Sequence, residues 1–478
     1  MRPVSTAVLG LGLSGEAAAE LLLEKGWPVT VFDDRAGPPL EERAERMRER
    51  GAVVRLGPEA DDGRDDYRMV VVSPGFAPGH RLLVRAQKEG MPVISEVELA
   101  SRFLQGRLIA VTGTNGKTTT VSLLAEIFRR SGIEAAVAGN IGYPLSRLAR
   151  ERGDCPVVVA EISSFQLERV DTFRPRTAVF LNLAPDHLDR YPGMKEYGEA
   201  KLKIFARQGK GDRAVFPETL AALVEKALPP GVERITWGGK AGTVRVVEGE
   251  LRDYYSPGGG ETICREADIS GPGRAFRENA LAAAAAARGE GVAPEEIAAV
   301  LKTFPGLPHR LEYVAEVAGV EFRNDSKATN PAAAAAALES FARPIIWLAG
   351  GRDKRLDFSP LGPLLPGRVK RAIFFGESRR KLRALAEDKA PVEVVSDLEE
   401  AVGAAFRRAA PGDVILLAPA CASFDMFADY RARGDRFKSL VGELASRAGA
   451  DEKSAGLSCS SPVSESGSGS KAFAVRCR

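Results

Sequence analysis

The sequence predicts an α/β protein of three domains with largely parallel sheets. Three observations carry this expectation. The chain has 478 residues, about three domains at the ordinary size of roughly 100 to 200 residues each, and each is long enough to bury its own core. Short β-branched runs lead repeatedly into Gly-rich turns and then into Ala/Leu/Glu/Arg-rich stretches, the alternation that builds parallel sheets through helical crossovers. Pro305, Gly306 and Pro308 interrupt that alternation, so a last domain begins there.

Taken in order, the first block places strands at residues 6–9, 28–32, 69–72 and 93–98, about one small nucleotide-binding unit. The second opens with a strand at 108–112, continues through 157–162 and 178–182, and then passes an irregular Gly-rich stretch at 237–273 before a last helix ending near Phe304. The third has strands at 320–323, 344–348, 372–375 and 414–418. The expected domains are therefore 1–96, 97–306 and 307–447. Residues 448–478 hold eight serines and few large apolar side chains, too little to offset ordering entropy, and are expected to be a disordered tail. The alanine tracts at 282–287 and 332–337 read as strong helix formers packed closely on sheets.

Lys plus Arg total 67 and Asp plus Glu 64, a net +3 with both signs interspersed. No strong field favours nucleic acid or a membrane surface, so an anionic ligand must be held locally. The five cysteines are far apart and never form a C-x-x-C pair, which fits neither a disulfide framework nor a zinc site and suits a reducing cytoplasm. The N-terminus lacks a signal-peptide core, and no run approaches the ~20 apolar residues needed to span a bilayer. A soluble chain without membrane insertion or nucleic-acid binding is expected.

The strongest motif is Gly113-Thr114-Asn115-Gly116-Lys117-Thr118-Thr119-Thr120, placed between a strand and a helix as a P-loop requires. Its glycines let backbone N–H groups and the helix N-terminus close around phosphate oxygens. Lys117 can reach the β- and γ-phosphates, and Thr118 can offer its hydroxyl to Mg²⁺. Gly10-Leu11-Gly12-Leu13-Ser14-Gly15, with Asp33 and Asp34 near the end of the next strand, fits either a pyrophosphate seat or a tight structural turn. Ser73-Pro74-Gly75 either faces the same crevice or is an ordinary turn.

Glu161 ends an apolar strand, where a carboxylate can hold Mg²⁺ directly or through water; helix capping by Ser163 or Ser164 is the simpler use of that segment. His187, one of three histidines, lies in a polar run after another strand and suits a ligand or substrate role. Lys201, on its own, reads as a solvated helix lysine. Leu307-Pro308-His309-Arg310, the run from Asn324 to Pro331, the run from Gly350 to Lys354 and the run from Pro419 to Phe427 put further polar groups along one sheet edge of the third block.

These residues resemble the ATP-dependent Mur ligases of peptidoglycan synthesis over about residues 5 to 445. The carriers are the P-loop, GNIG at 139–142, EISSFQLE from Glu161, DHLDRY from Asp186, LPHR from Leu307, NDSKATNP from Asn324 and ACASFDMF from Ala420. The last three point, within the family, to the members that join D-glutamate to UDP-N-acetylmuramoyl-L-alanine. The resemblance implies a Rossmann-like N-terminal domain for the UDP part of the substrate, a central P-loop ATPase-like domain and a Rossmann-like C-terminal domain for the amino acid. It implies that Leu13, Ser14, Asp34, Arg35 and Gly75 line the UDP site, with Asn140 and His187 near the muramoyl-alanine end. Gly113, Thr114, Asn115, Gly116, Lys117, Thr118, Thr119, Asn279, Arg310, Asp325 and Lys327 would serve ATP. Thr118, Glu161, His187 and Lys201 would organise two Mg²⁺ ions, Lys201 as a carbamate; Lys117, His187, Lys201 and Glu161 make up the catalytic set.

For D-glutamate, Lys354 is the implied cation, Thr329 and Ser423 the hydroxyl donors, Phe424 the source of backbone N–H groups and Tyr430 an aromatic wall. The chemistry implied is ADP-forming amide synthesis by a cytoplasmic monomer: the alanyl carboxylate takes the γ-phosphoryl group, and the amine of D-glutamate attacks the acyl phosphate. The family's usual His-Asn ahead of Asn279 is replaced here by Ala275-Phe276. A nicotinamide-dependent oxidoreductase would leave the P-loop idle; another Mur-type or folylpolyglutamate-synthase-like ligase is the nearer alternative.

Overall fold

The computed structural model describes residues 2–58, 66–76, 79–188, 190–353 and 356–457. Three sheets follow one another along the chain. The first has five strands in the order Val53–Leu56, Val29–Asp33, Thr6–Leu9, Met69–Val72, Val93–Ser95, all parallel. Chain direction across the sheet reverses beside Thr6–Leu9, which leaves a crevice beyond its C-terminal end and that of Met69–Val72. Both strands are wholly buried, as expected of continuous apolar runs covered by helices on two faces.

The second sheet has nine strands. Its parallel part places Arg107–Thr112 between Val157–Glu161 and Thr177–Phe180, and the P-loop leaves the C-terminal end of that central strand. The Gly-rich stretch expected to be irregular contains three further strands, Val244–Val247, Glu250–Asp253 and Glu261–Arg265, paired antiparallel. Glycine turns had obscured their short alternation. Ala282 to Ala287 are all fully buried, since methyl groups alone allow the helix Gly273–Gly289 to lie close on its neighbours.

The third sheet has six strands in the order Glu312–Val317, Val320–Asn324, Val414–Leu417, Ile345–Gly350, Val369–Phe375, Val392–Val394. Glu312–Val317 pairs antiparallel with Val320–Asn324 and is a strand the sequence did not announce, because its exposed edge carries glutamates. The helix Tyr430–Leu457 runs through residues 448–457, where the sequence predicts the start of a disordered tail; Ala450, Glu452, Lys453 and Ala455 are good helix formers. The rest of that expected tail, 458–478, lies outside the described residues.

The N-terminal and central domains share one apolar core that includes Val8, Leu22, Leu99, Leu108, Leu145 and Val158. The short helix Glu96–Ser101 sits at their junction. Burial alone would raise the pKa of Glu98, but hydrogen bonds from Thr172, Asp171 and Arg102 outweigh it and hold the carboxyl below its usual range. Its oxygens accept Asp171 N–H at 2.9 Å, Phe173 N–H at 2.8 Å and Arg102 Nε at 2.8 Å. The C-terminal domain has two apolar cores of its own and meets the central domain across a cleft.

Candidate functional site

The P-loop is shaped by backbone geometry that only glycine tolerates at its tightest point. Gly116 caps the helix Lys117–Arg130 with φ 86°, and a β-carbon there would sit 2.0 Å from Asn279 Oδ1. Asn115 and Asn182 brace the loop reciprocally, with Asn115 N–H donating to Asn182 Oδ1 at 2.9 Å and Asn182 Nδ2 to the Asn115 carbonyl at 3.1 Å. Lys117 Nζ folds over the loop and donates to the carbonyls of Gly113 and Thr114, each at 2.9 Å. Burial pulls its pKa below the usual lysine value, against the pull of Glu161 and Asp186.

One hydroxyl ties two domains together. Thr118 Oγ1 donates to Glu161 Oε2 at 2.6 Å and receives Arg310 Nη2 at 2.6 Å; Asn140 Nδ2 donates to the other oxygen of Glu161 at 2.9 Å. Asn330 reaches across the same gap, its Nδ2 donating to Asp186 Oδ2 at 3.0 Å and lying 3.2 Å from Asn115 Oδ1. Burial lifts the Asp325 carboxyl to about 7 against the charge of Arg310. It also lowers Lys327 to about 8, with Arg310 adding to the effect. The resulting cleft, of about 490 Å³, is lined by the loop from Thr114 to Thr119 together with Asn140, Glu161, Asp186, His187, Asn279, Arg310, Asp325, Lys327 and Thr329.

Lys201 is not the solvated lysine its helix suggested. It is 1% exposed, because the helix Met194–Leu202 packs it behind the P-loop. There Nζ donates to the Gly113 carbonyl at 2.9 Å and lies 4.6 Å from the centre of the Tyr197 ring. Burial first, then the charge of Lys117, drives its pKa well below the ordinary value. Asp186 and Tyr197 are site residues that sequence reasoning left without a role. Asp186 was visible as the neighbour of His187, whereas Tyr197 is placed only by packing, its hydroxyl 3.3 Å from Thr114 Oγ1. Ser163 caps the helix Ser164–Leu167 in a capping box with Gln166, so the simpler use of that segment is realised while Glu161 still faces the cleft.

The residues expected at a UDP site gather at the crevice of the first sheet, apart from the cleft. Gly15 fits because a β-carbon would approach the Gly10 carbonyl to 1.7 Å. Ser73 Oγ lies beside the same two glycines, which puts the 73–75 turn on this crevice. Asp33 is spent internally, accepting Leu11 N–H at 2.9 Å and Arg35 Nε at 3.0 Å. Asp34 stands half-exposed and pairs with His80 at 3.1 Å; Leu13 is 54% exposed. Asn140 and His187 lie in the cleft instead. Of the expected amino-acid residues, Thr329 lines the cleft. Tyr430 reaches it through Lys327, whose Nζ is 4.0 Å from the ring centre. Ser423 is buried and Phe424 exposed beyond the cleft lining. Lys354 lies outside the described residues.

Three family models match in sequence: a Mur ligase MurD-like N-terminal domain over residues 4–95, a Mur ligase middle domain over 111–287 and a Mur ligase glutamate ligase domain over 309–421. The chain belongs to the Mur ligase family. It is 41% identical to a UDP-N-acetylmuramoylalanine--D-glutamate ligase of Pelotomaculum thermopropionicum, covering 91% of this chain and 96% of the relative. It is 42% identical to the enzyme of that name from Acidobacterium capsulatum, covering 91% and 95%. Among solved structures, MurF ligase from Thermotoga maritima in complex with ADP shares the Mur ligase fold at a TM-score of 0.60 and 17% identity, covering 88% of this chain and 95% of that one. MurC of the same organism does so at 0.57 and 19%, covering 92% and 99%. Phe276, where the Mur ligase resemblance implies a polar residue, lines the cleft and packs against Phe304 with ring centres 6.1 Å apart.

The donor set suits a hard cation that shares its ligands with phosphate. Among the described residues no three His, Cys, Asp or Glu side chains form a metal cage. A Thr hydroxyl and the Glu161 carboxylate nevertheless meet at 2.6 Å beside the P-loop, and Mg²⁺ is commonly held by one or two carboxylates plus the phosphates of a substrate.

Proposed function

We propose that this chain is the ATP-dependent, ADP-forming ligase that adds D-glutamate to UDP-N-acetylmuramoyl-L-alanine in peptidoglycan precursor synthesis. The observation that carries the reading is the convergence on one cleft of a P-loop from the central domain with Arg310, Lys327 and Asn330 from the C-terminal domain. The names of relatives about 40% identical over most of the chain support the D-glutamate assignment.

In this reading the backbone of Gly113 to Thr119 holds the ATP phosphates, with Lys117 on the β,γ-oxygens, and Asn279, Asp325 and Lys327 hold the rest of the nucleotide. Leu13, Ser14, Asp34, Arg35 and Gly75 hold the UDP moiety, and Asn140 and His187 receive its muramoyl-alanine end. Thr118, Glu161, His187 and a carbamylated Lys201 would hold two Mg²⁺ ions. Bound there, the ions would screen the meeting of two anions, the alanyl carboxylate and the γ-phosphate. Arg310 adds a fixed cation on the same side. His187 orients the substrate, and Lys354, Thr329, Ser423, Phe424 and Tyr430 receive D-glutamate so that its neutral amine reaches the acyl phosphate. We place the domain boundaries near residues 96 and 306 and the reaction in the cytoplasm, in a monomer. Among the described residues no helix is long and apolar enough to cross a membrane.

A coupled assay of ADP release with UDP-N-acetylmuramoyl-L-alanine and a panel of amino acids tests the function. D-glutamate is expected to support release, and a preference for L-lysine or L-glutamate overturns it.

A further inference from the structure

Two loops and one short helix, from two domains, meet on the side chain of Arg190. Its Nε and Nη2 pair with Glu168 Oε1 at 3.1 Å and Oε2 at 2.7 Å. The guanidinium lies 4.5 Å from the centre of the Phe165 ring, and that ring meets His187 edge-on at 4.7 Å. The remaining nitrogen, Nη1, donates to the backbone carbonyl of Phe76 at 3.2 Å. Phe76 belongs to the N-terminal domain and directly follows the 73–75 turn.

The backbone leading to Arg190 is itself constrained. His187 has φ 56°, a left-handed conformation that is uncommon for a residue other than glycine. Its carbonyl accepts the N–H groups of Arg190 and Tyr191, both at 3.0 Å. Tyr191 Oη adds a bond to Glu168 Oε1 at 2.7 Å. Arg190 therefore closes the turn that presents His187 and, with its third nitrogen, fixes the distance from that turn to the N-terminal crevice.

We propose that Arg190 is a positioning residue for the UDP-linked substrate, holding the 73–76 loop and the His187 turn at one spacing so that a single extended ligand engages both. The inference rests on the proposed assignment of Gly75 and His187 to that substrate. A planar fork with donors to spare is needed, because two go to Glu168 and one to Phe76; a lysine offers one compact charge and cannot span both.

Steady-state kinetics of the full chain, varying the UDP-linked substrate and ATP separately, test this with Arg190→Lys, Arg190→Ala, Glu168→Gln and His187→Ala, alongside melting temperatures. Loss of one bridging contact is expected to raise the KM for the UDP-linked substrate about tenfold in both Arg190 variants. The KM for ATP should stay within about twofold, a split that general destabilisation does not produce. Glu168→Gln should shift the same KM by less. Should Arg190→Ala fail to fold, Arg190→Lys, which keeps the charge, gives the same readout. A wild-type KM for the UDP-linked substrate in folded Arg190→Lys, while His187→Ala raises it, overturns the proposal. An unchanged KM in His187→Ala as well removes the site assignment and the proposal with it.

Discussion

Lys117 and Lys201 share one acceptor: each ammonium nitrogen lies 2.9 Å from the carbonyl oxygen of Gly113. Two cations on one neutral oxygen repel, and in a buried site water screens them little. The lysine deeper in the protein carries the greater penalty, and Lys201 is held well below its ordinary pKa by burial and by Lys117. A neutral amine there is the form that can take up CO₂, and the carbamate would turn the repulsion into attraction.

Lys201→Ala is accordingly expected to be nearly inactive and to regain part of its activity when a small carboxylate is supplied. Rate measurements with and without acetate check it. Electron density at high resolution, with CO₂ present, that ends at an unmodified amine would refute the carbamate.

Lys117→Ala should abolish ADP release and leave the fold intact. The hydrogen bonds of Lys117 run to the carbonyls of its own loop, so they contribute little to packing, whereas the phosphates lose their nearest cation. ADP release at a near wild-type rate in a protein of unchanged melting temperature sinks the P-loop assignment.

Glu96 should make the junction of the N-terminal and central domains more stable in mild acid than in mild base. Burial lifts its carboxyl to about 7 from 4.5, against hydrogen bonds from Ser146, and Oε2 has no hydrogen-bond partner among the described residues. A raised acid binds its proton more tightly when folded, so the penalty is fully present above about 7 and fades as pH falls toward the unfolded value. The shift corresponds to a few kcal/mol at most, on the order of 3. Urea unfolding of wild type at pH 8 and pH 5 should show this gain, and Glu96→Gln should reduce it, leaving the share of Asp325, whose carboxyl burial also lifts to about 7; an identical pH slope in the variant refutes it.

Lys354→Ala tests the amino-acid site. A charge-assisted contact contributes roughly 1.5 to 3 kcal/mol, so D-glutamate use should weaken roughly ten- to a hundredfold, with little change in the KM for ATP. A variant impaired mainly in its ATP KM removes Lys354 from that site.

Much of the fold was legible because it is encoded locally. The run from Arg107 to Lys117 states a strand, a glycine turn and a helix start within a dozen residues, and Gly116 takes the left-handed conformation the motif requires. The same holds for Gly10 to Gly15 and for the buried parallel strands, whose continuous apolar runs need no partner to be recognised. The antiparallel strand Glu312–Val317 and the small strands after Trp237 were not legible. Their faces are half-exposed, so their patterns are weak.

What the sequence by itself determined was the three-domain α/β class, the most continuous buried strands and the phosphate loop, since each depends on residues within a few positions of one another. Only the tertiary structure decided which side chains face which. It buried Lys201 on the carbonyl of Gly113, joined Arg310 to Thr118 and aimed Arg190 at Phe76. Those partners lie 88, 192 and 114 positions apart in the chain, and the physical reason is burial. A lysine on a short helix has the same local signature in water as behind a P-loop, and only the packing of one element on another removes its water and sets its charge.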